Sequence, residues 1–400
     1  MHPLDGIRVV LGVSGGIAAY RAADLTSRLV QTGALVDAIL TESATEFVTP
    51  LTFQTLTKRP VYTSVFEGWT DSTKGHITLA DEADVIVIAP ATANTIARLA
   101  HGMADDMLSV TCLSATPRGI PLVIAPAMEH HMYMHPATQA NLRLLRDRGA
   151  VVVGPEHGRL ASGAFGTGRL ASIDAIVATI EQALGANGPL TGQHIVVTAG
   201  ATREAVDPIR MLTNRSSGKM GYAIARASLN AGARVTLITT PTAIPLPHGA
   251  EVVHVESALN LLDAVSEHAP TANALVMAAA VADYRPESVA DQKIKKSDDD
   301  LVLRLTRNPD ILLSVQTPGV LRVGFAAETE HHEDNALGKL ARKSLDMIVS
   351  NDARTAMGND ENSVTIYDRL GGVEHLDLTS KDEIAAALVE RVARWLRVTP

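Results

Sequence analysis

The sequence contains a single cysteine, Cys112, so no disulfide can form within the chain. Small and apolar residues surround this cysteine in SVTCLSA, and we therefore expect a buried, inert thiol rather than a nucleophile. Such sparse cysteine usage is typical of proteins from a reducing compartment. The composition therefore predicts a cytoplasmic protein.

Long apolar runs and an excess of basic residues are also missing. No apolar stretch approaches the ~18 residues of a membrane-spanning helix, and the amino terminus, MHPLDGIRVV, lacks the layout of a signal peptide. The net charge is −9, which argues against nucleic acid as the main partner because a phosphate backbone needs a basic surface. Small anionic ligands would instead need local basic patches.

What the sequence does contain is a strand–turn–helix–strand pattern that occurs twice, first from residue 7 and again from residue 194. The segment GANGP at 185–189 breaks the chain between the two copies. We therefore predict an α/β protein with domains at residues 1–185 and 191–400, joined by a linker at 186–190. Each copy predicts a doubly wound, Rossmann-like parallel sheet, which binds ligands beyond the carboxyl ends of its strands.

The segment TAGATREAVDPIRMLTNRSSGKMGY, residues 198–222, lies between a strand and a helix of the second domain. Its glycines allow the backbone to approach a polyanion closely, and the following helix would direct N–H groups at a phosphate. A Walker A loop is excluded because Thr213 and Met220 occupy two of its required positions. The G-x-G-x-x-G fingerprint is also absent.

This segment resembles the signature of phosphopantothenate–cysteine ligases. The amino-terminal half resembles the flavin-dependent phosphopantothenoylcysteine decarboxylases to which these ligases are commonly fused, and the resemblance covers nearly the whole chain. It implies a bifunctional enzyme of coenzyme A synthesis. The ligase would join cysteine to 4′-phosphopantothenate with CTP, through an acyl-cytidylate, and the decarboxylase would convert the product to 4′-phosphopantetheine with FMN.

Three turns of the first domain resemble the flavin-binding turns of the homo-oligomeric flavin-containing cysteine decarboxylases: GVSGG, the TES turn and PATANT. Taken alone, each turn could reflect topology only, but three turns in register within one sheet favour a cofactor site. The FMN contacts that the resemblance implies are Gly12, Ser14, Gly15, Gly16, Thr41, Thr92, Asn94 and Thr95.

The resemblance also implies catalytic and substrate residues in this domain. His76, in KGHITLA, matches the family's catalytic histidine, and a neutral imidazole suits base chemistry during thiol oxidation. Met128 and Met132 match substrate-contact positions, but Glu129 replaces the asparagine that holds the substrate carboxylate. Like charges ~4 Å apart repel by ~4 kcal/mol at an effective dielectric constant of 20. Glu129 must therefore be protonated, turned away, or paired with His130, His131 or a basic group.

Ser162 replaces a cysteine that, in many relatives, donates a proton to the enethiolate, and a serine hydroxyl is a far weaker acid. Gly158, Gly163, Gly166 and Gly168 around it predict a flexible lid. The substitutions at Glu129 and Ser162 leave a second hypothesis open, namely an active ligase fused to a flavin-binding domain with impaired decarboxylase activity that serves assembly or regulation. An NAD or nucleotide-sugar enzyme is disfavoured because the fingerprints are missing.

In the second domain the resemblance implies a CTP site. Its residues would be Met277, Ala278, Ala279, Asp283, Lys293, Pro309, Asp310, Ile311, Leu312, Phe325, Lys339 and Lys343, and the adjoining substrate site would contain Ser216, Ser217, Gly218 and Lys219. Lys339 and Lys343 are four apart on one predicted helix and so share a face. Asn214 matches the asparagine that turns over the acyl intermediate, and Lys293, in KIKK, would stabilise charge on the nucleotide.

Mg²⁺ would neutralise the triphosphate, with Asp283 as the one candidate ligand. The family's decarboxylase domains pack as trimers and its ligase domains as dimers, which implies a dodecamer. The expected partners are thus phosphopantothenate, cysteine, CTP and other copies of this chain, with no nucleic acid and no membrane.

Overall fold

The computed structural model describes residues 2–66, 75–115, 118–296, 300–328, 332–352 and 359–398. The chain divides into two compact units, Met1–Gly185 and Ala186–Pro400. Each unit has its own sheet and its own buried apolar clusters. None of the helices in the described ranges is long and apolar enough to cross a membrane.

The first unit is built on a six-stranded parallel sheet with the order β3-β2-β1-β4-β5-β6. Its strands are β1 Arg8–Val13, β2 Leu35–Leu40, β3 Val61–Tyr62, β4 Val85–Ala91, β5 Leu122–Pro126 and β6 Val151–Val152, and a separate hairpin consists of β7 Glu156–Arg159 and β8 Phe165–Arg169. The order in which the strands are added to the sheet reverses between β1 and β4. Doubly wound sheets bind their ligands at such a reversal point.

Helices cover both faces of this sheet, which explains why every residue of β4 is buried. They are α1 Tyr20–Gln31, α2 Glu42–Thr45, α3 Pro50–Thr57, α4 His76–Glu82, α5 Ala93–His101, α6 Met107–Ala115, α7 His130–Met134, α8 Pro136–Asp147 and α9 Ile173–Leu184. Cys112 is buried within α6, and the described residues contain no disulfide. Burial and the nearby Asp106 charge raise the pKa of this thiol to about 12.

The second unit contains an eight-stranded sheet with the order β13-β12-β9-β14-β17-β18-β19-β20. The strands are β9 His194–Ala199, β12 Arg234–Thr239, β13 Glu251–His254, β14 Ala274–Met277, β17 Leu321–Glu328, β18 Met347–Asp352, β19 Glu361–Asp368 and β20 Val373–Ser380. The first six are parallel, whereas β19 and β20 are antiparallel additions at one edge. Both units are therefore α/β folds with doubly wound parallel sheets, as the repeated sequence pattern predicts.

Five helices and two short ribbons complete the second unit as described. The helices are α10 Lys219–Asn230, α11 Ala258–His268, α12 Ile311–Ser314, α13 His332–Arg342 and α14 Lys381–Val398, and the ribbons are β10 Arg203–Ala205 with β11 Met211–Thr213 and β15 Tyr284–Pro286 with β16 Leu305–Arg307. Helix α14 packs beside α10 over the antiparallel edge. The fold thereby brings the last described element of the chain next to the glycine-containing loop at 214–218.

Candidate functional site

A cavity of about 710 Å³ lies in the second unit beyond the carboxyl end of β14 and beside the amino terminus of α10. Most of the second-unit residues assigned from the sequence border it, and they come from well-separated stretches of the chain. They are Asn214, Ser216, Ser217, Gly218, Lys219, Met277, Ala278, Ala279, Asp283, Pro309, Asp310, Ile311, Leu312, Phe325 and Lys343. The fold thus brings the anion-binding loop and the expected nucleotide residues to one place.

Glycine makes the close packing of this loop possible. Gly200 and Gly218 both have positive φ, +88° and +83°, and a methyl group at Gly218 would lie 3.2 Å from the Gly200 backbone. A methyl group at Gly221 would lie 2.6 Å from the Ala199 side chain, so α10 can rest directly on β9 only with glycine there. This packing turns the amino terminus of α10 towards the cavity, where a helix favours anions.

Lys343 and Asp310 form an ion pair on the cavity wall, with 2.8 Å between Nζ and Oδ2. Asp310 also caps α12 by accepting a hydrogen bond from the Leu313 N–H at 3.3 Å. The lysine is therefore held at the start of a helix that lines the cavity. An anionic ligand would have to share this ammonium group with Asp310.

Lys339 and Lys343 stay in helical register but have different surroundings. Helix α13 ends at Arg342, yet the Lys343 N–H still donates to the Lys339 carbonyl at 3.0 Å, and the next residue, Ser344, has a left-handed φ of 48°. Lys343 borders the cavity, whereas Lys339 is half-buried and is not among the lining residues. The four-residue spacing therefore follows the helix as predicted, but of the two lysines only Lys343 borders the cavity.

Lys293 is exposed and does not line the cavity either. The segment around it is nevertheless fixed, because the Ile294 N–H donates to Asp207 Oδ2 at 3.1 Å and Arg210 Nη2 donates to the Ile294 carbonyl at 2.7 Å. Asp207 has a fully buried side chain and also pairs with Arg210. The Arg210 guanidinium, against the opposing effect of burial, holds the pKa of Asp207 far below its usual range.

Asp283, the candidate metal ligand, is exposed at the cavity mouth. Within the described ranges no cluster of three or more histidine, cysteine or acidic side chains could hold a metal ion. A single carboxylate fits a cation bound mainly through phosphate oxygens, which is the usual arrangement for Mg²⁺ in nucleotide sites. It does not fit a metal site built from the protein alone.

Several lining residues carry no local sequence signal. Asn351 and Asn362 come from neighbouring antiparallel strands, and Lys381 begins α14. The sequence analysis assigns no site residue to the carboxyl-terminal segment. This segment nevertheless supplies one side of the cavity. Only the long-range pairing of β18, β19 and β20 brings these residues there, so no motif of adjacent residues could have identified them.

In the first unit, the three turns assigned to flavin binding contact one another. Ser14 Oγ donates to the Pro90 carbonyl at 2.7 Å and accepts from the Thr92 N–H at 2.9 Å. Thr92 caps α5 by accepting from the Thr95 N–H, and the Thr41 N–H donates to the Val13 carbonyl at 3.0 Å. The turns after β1, β2 and β4 thus form one continuous rim at the carboxyl edge of the sheet.

Glycine again sets the spacing of this rim. A methyl group at Gly15 would lie 2.6 Å from the Ser43 backbone, and one at Gly12 would overlap the Leu108 side chain at 2.4 Å. Gly16 and Asn94 belong to the same turns, and Asn94 is exposed. Ser14 is only 1% exposed, so its hydroxyl joins two turns to each other and presents little surface to a ligand.

His76 is the first residue of α4. Its Nδ1 is buried and has no hydrogen-bond partner among the described residues. A buried ring nitrogen without a partner is costly, which is typical of a group that acquires its partner from a ligand. The first unit therefore contains one histidine that suits proton exchange with a bound molecule.

Glu129 is paired and capped, which resolves the three alternatives that the sequence leaves open. Its carboxylate accepts hydrogen bonds from the His131 N–H at 2.7 Å, from His131 Nδ1 at 2.9 Å and from the Met132 N–H at 3.3 Å. Desolvation favours the neutral acid, but these hydrogen bonds outweigh it and lower the pKa of Glu129. Glu129 is therefore ionised at neutral pH and caps α7, which contains Met132.

The glycine-rich segment around Ser162 is an ordered hairpin, β7–β8, with Ser162 exposed at its tip. A methyl group at Gly168 would lie 2.1 Å from the Met128 carbonyl, and one at Gly166 would lie 2.8 Å from the His130 ring. The Met128 N–H donates to the Gly168 carbonyl at 3.0 Å. Two of the glycines therefore allow the hairpin to lie against residues 128–130, and the flexibility of this segment stays a prediction.

Comparisons with known proteins agree across both units. The family described as "DNA/pantothenate metabolism flavoprotein C-terminal domain" matches residues 190–396, and the family described as "Flavoprotein" matches residues 1–185. The coenzyme A biosynthesis bifunctional protein CoaBC of Bacillus subtilis is 46% identical over 404 residues, covering 99% of both chains. Its counterpart from Vibrio cholerae is 44% identical and covers 98% of this chain and 99% of its own.

Among solved structures, the C-terminal domain of a CoaBC protein is 40% identical, covers 53% of this chain and 99% of its own, and has a TM-score of 0.47. A mutant phosphopantothenoylcysteine (PPC) decarboxylase complexed with pantothenoylaminoethenethiol is 33% identical, covers 44% of this chain and 96% of its own, and has a TM-score of 0.41.

Proposed function

This chain belongs to the family of bifunctional coenzyme A biosynthesis proteins, and from that membership we propose how its two units divide the chemistry. The protein is a flavoprotein decarboxylase and a ligase of coenzyme A biosynthesis. The alternative of an impaired decarboxylase kept for assembly or regulation is not favoured. The finer assignments of substrates, cofactors and residues below are proposals.

We propose that the second unit ligates cysteine to 4′-phosphopantothenate with CTP. The carboxylate of phosphopantothenate attacks the α-phosphate, pyrophosphate leaves, and the cysteine amine then displaces CMP from the acyl-cytidylate. The observation that carries this proposal is the convergence on one cavity of the 216–219 loop, residues 277–279 and the Lys343–Asp310 pair. A Rossmann-like sheet with a helix amino terminus directed at the cavity suits the binding of a nucleoside triphosphate.

Individual residues support distinct roles in this cavity. Phe325 is positioned to flank the base, and Lys219 begins α10, where its charge adds to the helix dipole for phosphate binding. Asn214 donates from Nδ2 to the Ala280 carbonyl at 3.3 Å, which orients the amide beside the strand end that borders the cavity. We propose that Asn214 stabilises the developing oxyanion of the acyl intermediate. Mg²⁺, held mainly by the triphosphate with Asp283, would neutralise charge there.

Lys293 lies outside the cavity in this structure, so it would have to move to contact a bound nucleotide. We propose that it approaches the nucleotide on the segment held by Asp207 and Arg210, since the anchor at Ile294 is one residue away. We propose that Lys339 contributes positive charge near the nucleotide without contacting it. These assignments depend on the family resemblance together with the anchored segment.

For the first unit we propose FMN binding at the rim formed by Gly12, Gly15, Gly16, Thr41 and the 92–95 turn. Support comes from the closely packed glycines, which allow the turns to approach one another at the carboxyl edge of the sheet, and from Thr92 at a helix amino terminus, which suits the flavin phosphate. FMN supplies a reversible two-electron acceptor for the substrate carbon next to the thiol.

The chain's own residues would then orient the substrate and handle protons. His76 exchanges a proton with the substrate thiol through its unpartnered nitrogen. Glu129 is ionised and caps α7, so it holds the Met132 backbone and does not bind the substrate carboxylate. Ser162, on the exposed tip, is proposed as a contributor to the final protonation through bound water.

We also propose a homo-oligomer, a dodecamer of decarboxylase trimers and ligase dimers. On the first unit several large apolar side chains are exposed, which is the composition of an interface. They include Ile17 at 62%, Tyr20 at 61%, Leu51 at 68% and Phe165 at 73%. Light scattering that gives a monomer would contradict this. A cytoplasmic location also stays a prediction.

The test is a coupled assay on the purified chain with CTP, cysteine and phosphopantothenate, omitting each in turn. We expect pyrophosphate only when CTP and phosphopantothenate are both present, and carbon dioxide and phosphopantetheine only when cysteine is added. Pyrophosphate without phosphopantothenate, or none at all, would refute the ligase assignment. Product formation that stops at phosphopantothenoylcysteine in the presence of FMN would refute the decarboxylase assignment.

A further inference from the structure

One side of the cavity in the second unit has no role in the function proposed so far. Asn351 of β18, Asn362 of β19 and Lys381 at the start of α14 line it. Asn351 is opposite Val364 in the antiparallel register, so these two side chains share a face of the sheet, and Val364 also lines the cavity. We call this side of the cavity the Asn351–Asn362–Lys381 corner.

The amide oxygens of Asn351 and Asn362 lack partners among the described residues. Asn362 is only 3% exposed, and its Oδ1 is buried with no hydrogen bond to any described residue. Oδ1 of Asn351 is in the same situation. Buried amide oxygens without hydrogen bonds are unfavourable, and an amide can both donate and accept. The two oxygens therefore suit a ligand that donates N–H groups.

Two ammonium groups, those of Lys219 and Lys381, lie at this corner. Lys381 Nζ donates to the Asn359 carbonyl at 2.5 Å, and Lys219 Nζ pairs with Asp360 Oδ1 at 2.5 Å. The Lys219 contact, and to a smaller extent the Lys381 charge, lower the pKa of Asp360. Burial and the neighbouring Lys219 charge lower the pKa of Lys381, an effect that Asp360 only partly offsets. A further carboxylate would be stabilised here.

The amino terminus of α14 is not itself the anion site. Ser380 accepts from the Glu383 N–H at 3.2 Å, and the Glu383 carboxylate accepts from the Ser380 N–H at 3.3 Å. Together with the Lys381 N–H, which donates to the Asp360 carbonyl at 3.0 Å, this reciprocal capping occupies two N–H groups of the first turn. Recognition of a carboxylate therefore depends on the Lys381 side chain.

We propose that the Asn351–Asn362–Lys381 corner is the subsite for the amino-acid substrate of the ligase, with the amides binding the amine and Lys381 binding the carboxylate. This inference depends on the proposed ligation of cysteine. Two nearby cations also disfavour an ammonium ion, so a bound amine is more readily neutral and able to attack. A phosphate is less well matched, because the 216–219 loop and Lys343 already offer phosphate ligands.

Substrate analogues test this proposal on the unaltered, full-length protein. Cysteamine has the amine and thiol of cysteine without the carboxylate. We expect the KM for cysteamine as nucleophile to exceed that for cysteine by about tenfold or more, the effect of one charge-assisted hydrogen bond. Equal KM values would overturn the assignment of the carboxylate to this corner, whatever the behaviour of the variants.

The variants Lys381→Met and Asn362→Ala separate the two contacts. In Lys381→Met the KM for cysteine should rise to that for cysteamine, so the preference for the carboxylate disappears. In Asn362→Ala the KM should rise for both nucleophiles by a similar factor. Ser363→Ala is the matched control, because Ser363 bonds the Leu376 carbonyl and does not line the cavity. It should leave both KM values unchanged.

Pyrophosphate release from CTP and phosphopantothenate without cysteine separates this inference from the proposed function. We expect normal release in both variants. If the unaltered protein releases none, the proposed function fails. If Lys381→Met instead raises the KM for CTP or phosphopantothenate and keeps the cysteine preference, Lys381 binds a phosphate and the amino-acid subsite is refuted.

Discussion

At the scale of single residues, the two departures from the family pattern have different consequences. Glu129 is used as a helix cap and stays ionised, so its charge is compensated locally by His131 and backbone N–H groups. Ser162 has no such compensation and is exposed on a hairpin tip. The substituted residue thus forms hydrogen bonds within the protein at position 129 and is exposed to solvent at position 162.

Cys112 offers a residue-scale prediction about pH and reactivity. Its pKa is raised to about 12 by burial and then by Asp106, so the thiolate is scarce below that pH. We expect no reaction of the native protein with a thiol reagent at about pH 8, and one equivalent per chain after denaturation. Rapid reaction of the native chain would show that α6 opens readily.

Asp207 gives a second residue-scale prediction. Asp207→Asn keeps the shape but removes the charge that holds Arg210 and the Ile294 N–H. We expect the ligase kcat to fall about tenfold as Lys293 loses its position, with decarboxylase activity unchanged. Asp291→Asn, an exposed neighbour on the same segment, is the control. Equal effects of the two variants would show that Asp207 does not position Lys293.

At the scale of elements, the β7–β8 hairpin shows how glycine spacing determines packing. Gly168→Ala would force its methyl group against the Met128 carbonyl, whereas Gly158→Ala meets only the Arg169 side chain at 3.5 Å. We expect decarboxylase activity to fall more than about tenfold in Gly168→Ala, because a small displacement of the residues that position a substrate slows the reaction strongly. We expect little change in Gly158→Ala. Ligase activity, measured in the same sample, should be normal in both.

The antiparallel edge of the second sheet depends on a buried ion pair. Arg391 Nη2 pairs with Asp368 Oδ2 at 2.5 Å, and both side chains are nearly buried. Burial favours the neutral acid, but the Arg391 and Gly372 hydrogen bonds prevail and lower the pKa of Asp368. Arg391→Met would leave this carboxylate unpaired and lower the free energy of unfolding by about 3 kcal/mol at neutral pH.

The pH dependence of that effect follows from the lowered pKa. The stabilisation is fully present above the unfolded pKa of about 4 and disappears as the pH falls through the lower folded value. Urea unfolding should therefore show the two proteins converging in stability in acid. Arg394→Met, whose contact with Glu374 is exposed and 4.0 Å long, should change stability by less than about 0.5 kcal/mol. A stability difference between wild type and Arg391→Met that does not vary with pH would contradict this account.

The elements also show what the sequence could predict. The parallel strands and their glycine turns have local signals, an apolar run followed by small residues, so β1, β4, β9 and β14 could be placed. The corner with Asn351, Asn362 and Lys381 could not, because it exists only through pairing between strands distant from any motif.

At the scale of the whole molecule, each of the two units has buried apolar clusters of its own, two in each among the described residues. We predict that residues 1–185 and 191–400, expressed separately, both fold, with flavin binding in the first and pyrophosphate release in the second. Absorbance of the bound flavin and the pyrophosphate assay would measure this. Insolubility of either piece alone would contradict independent folding.

The central claim is that the cavity of the second unit activates a carboxylate on a cytidine nucleotide. The most direct measurement uses phosphopantothenate labelled with ¹⁸O in its carboxylate, turned over with CTP and cysteine, followed by mass spectrometry of the nucleotide product. We expect CMP to carry one ¹⁸O atom per turnover, because the carboxylate oxygen bridges to phosphorus in the acyl-cytidylate. Unlabelled CMP, with the label in pyrophosphate or retained in the amide product alone, would contradict it.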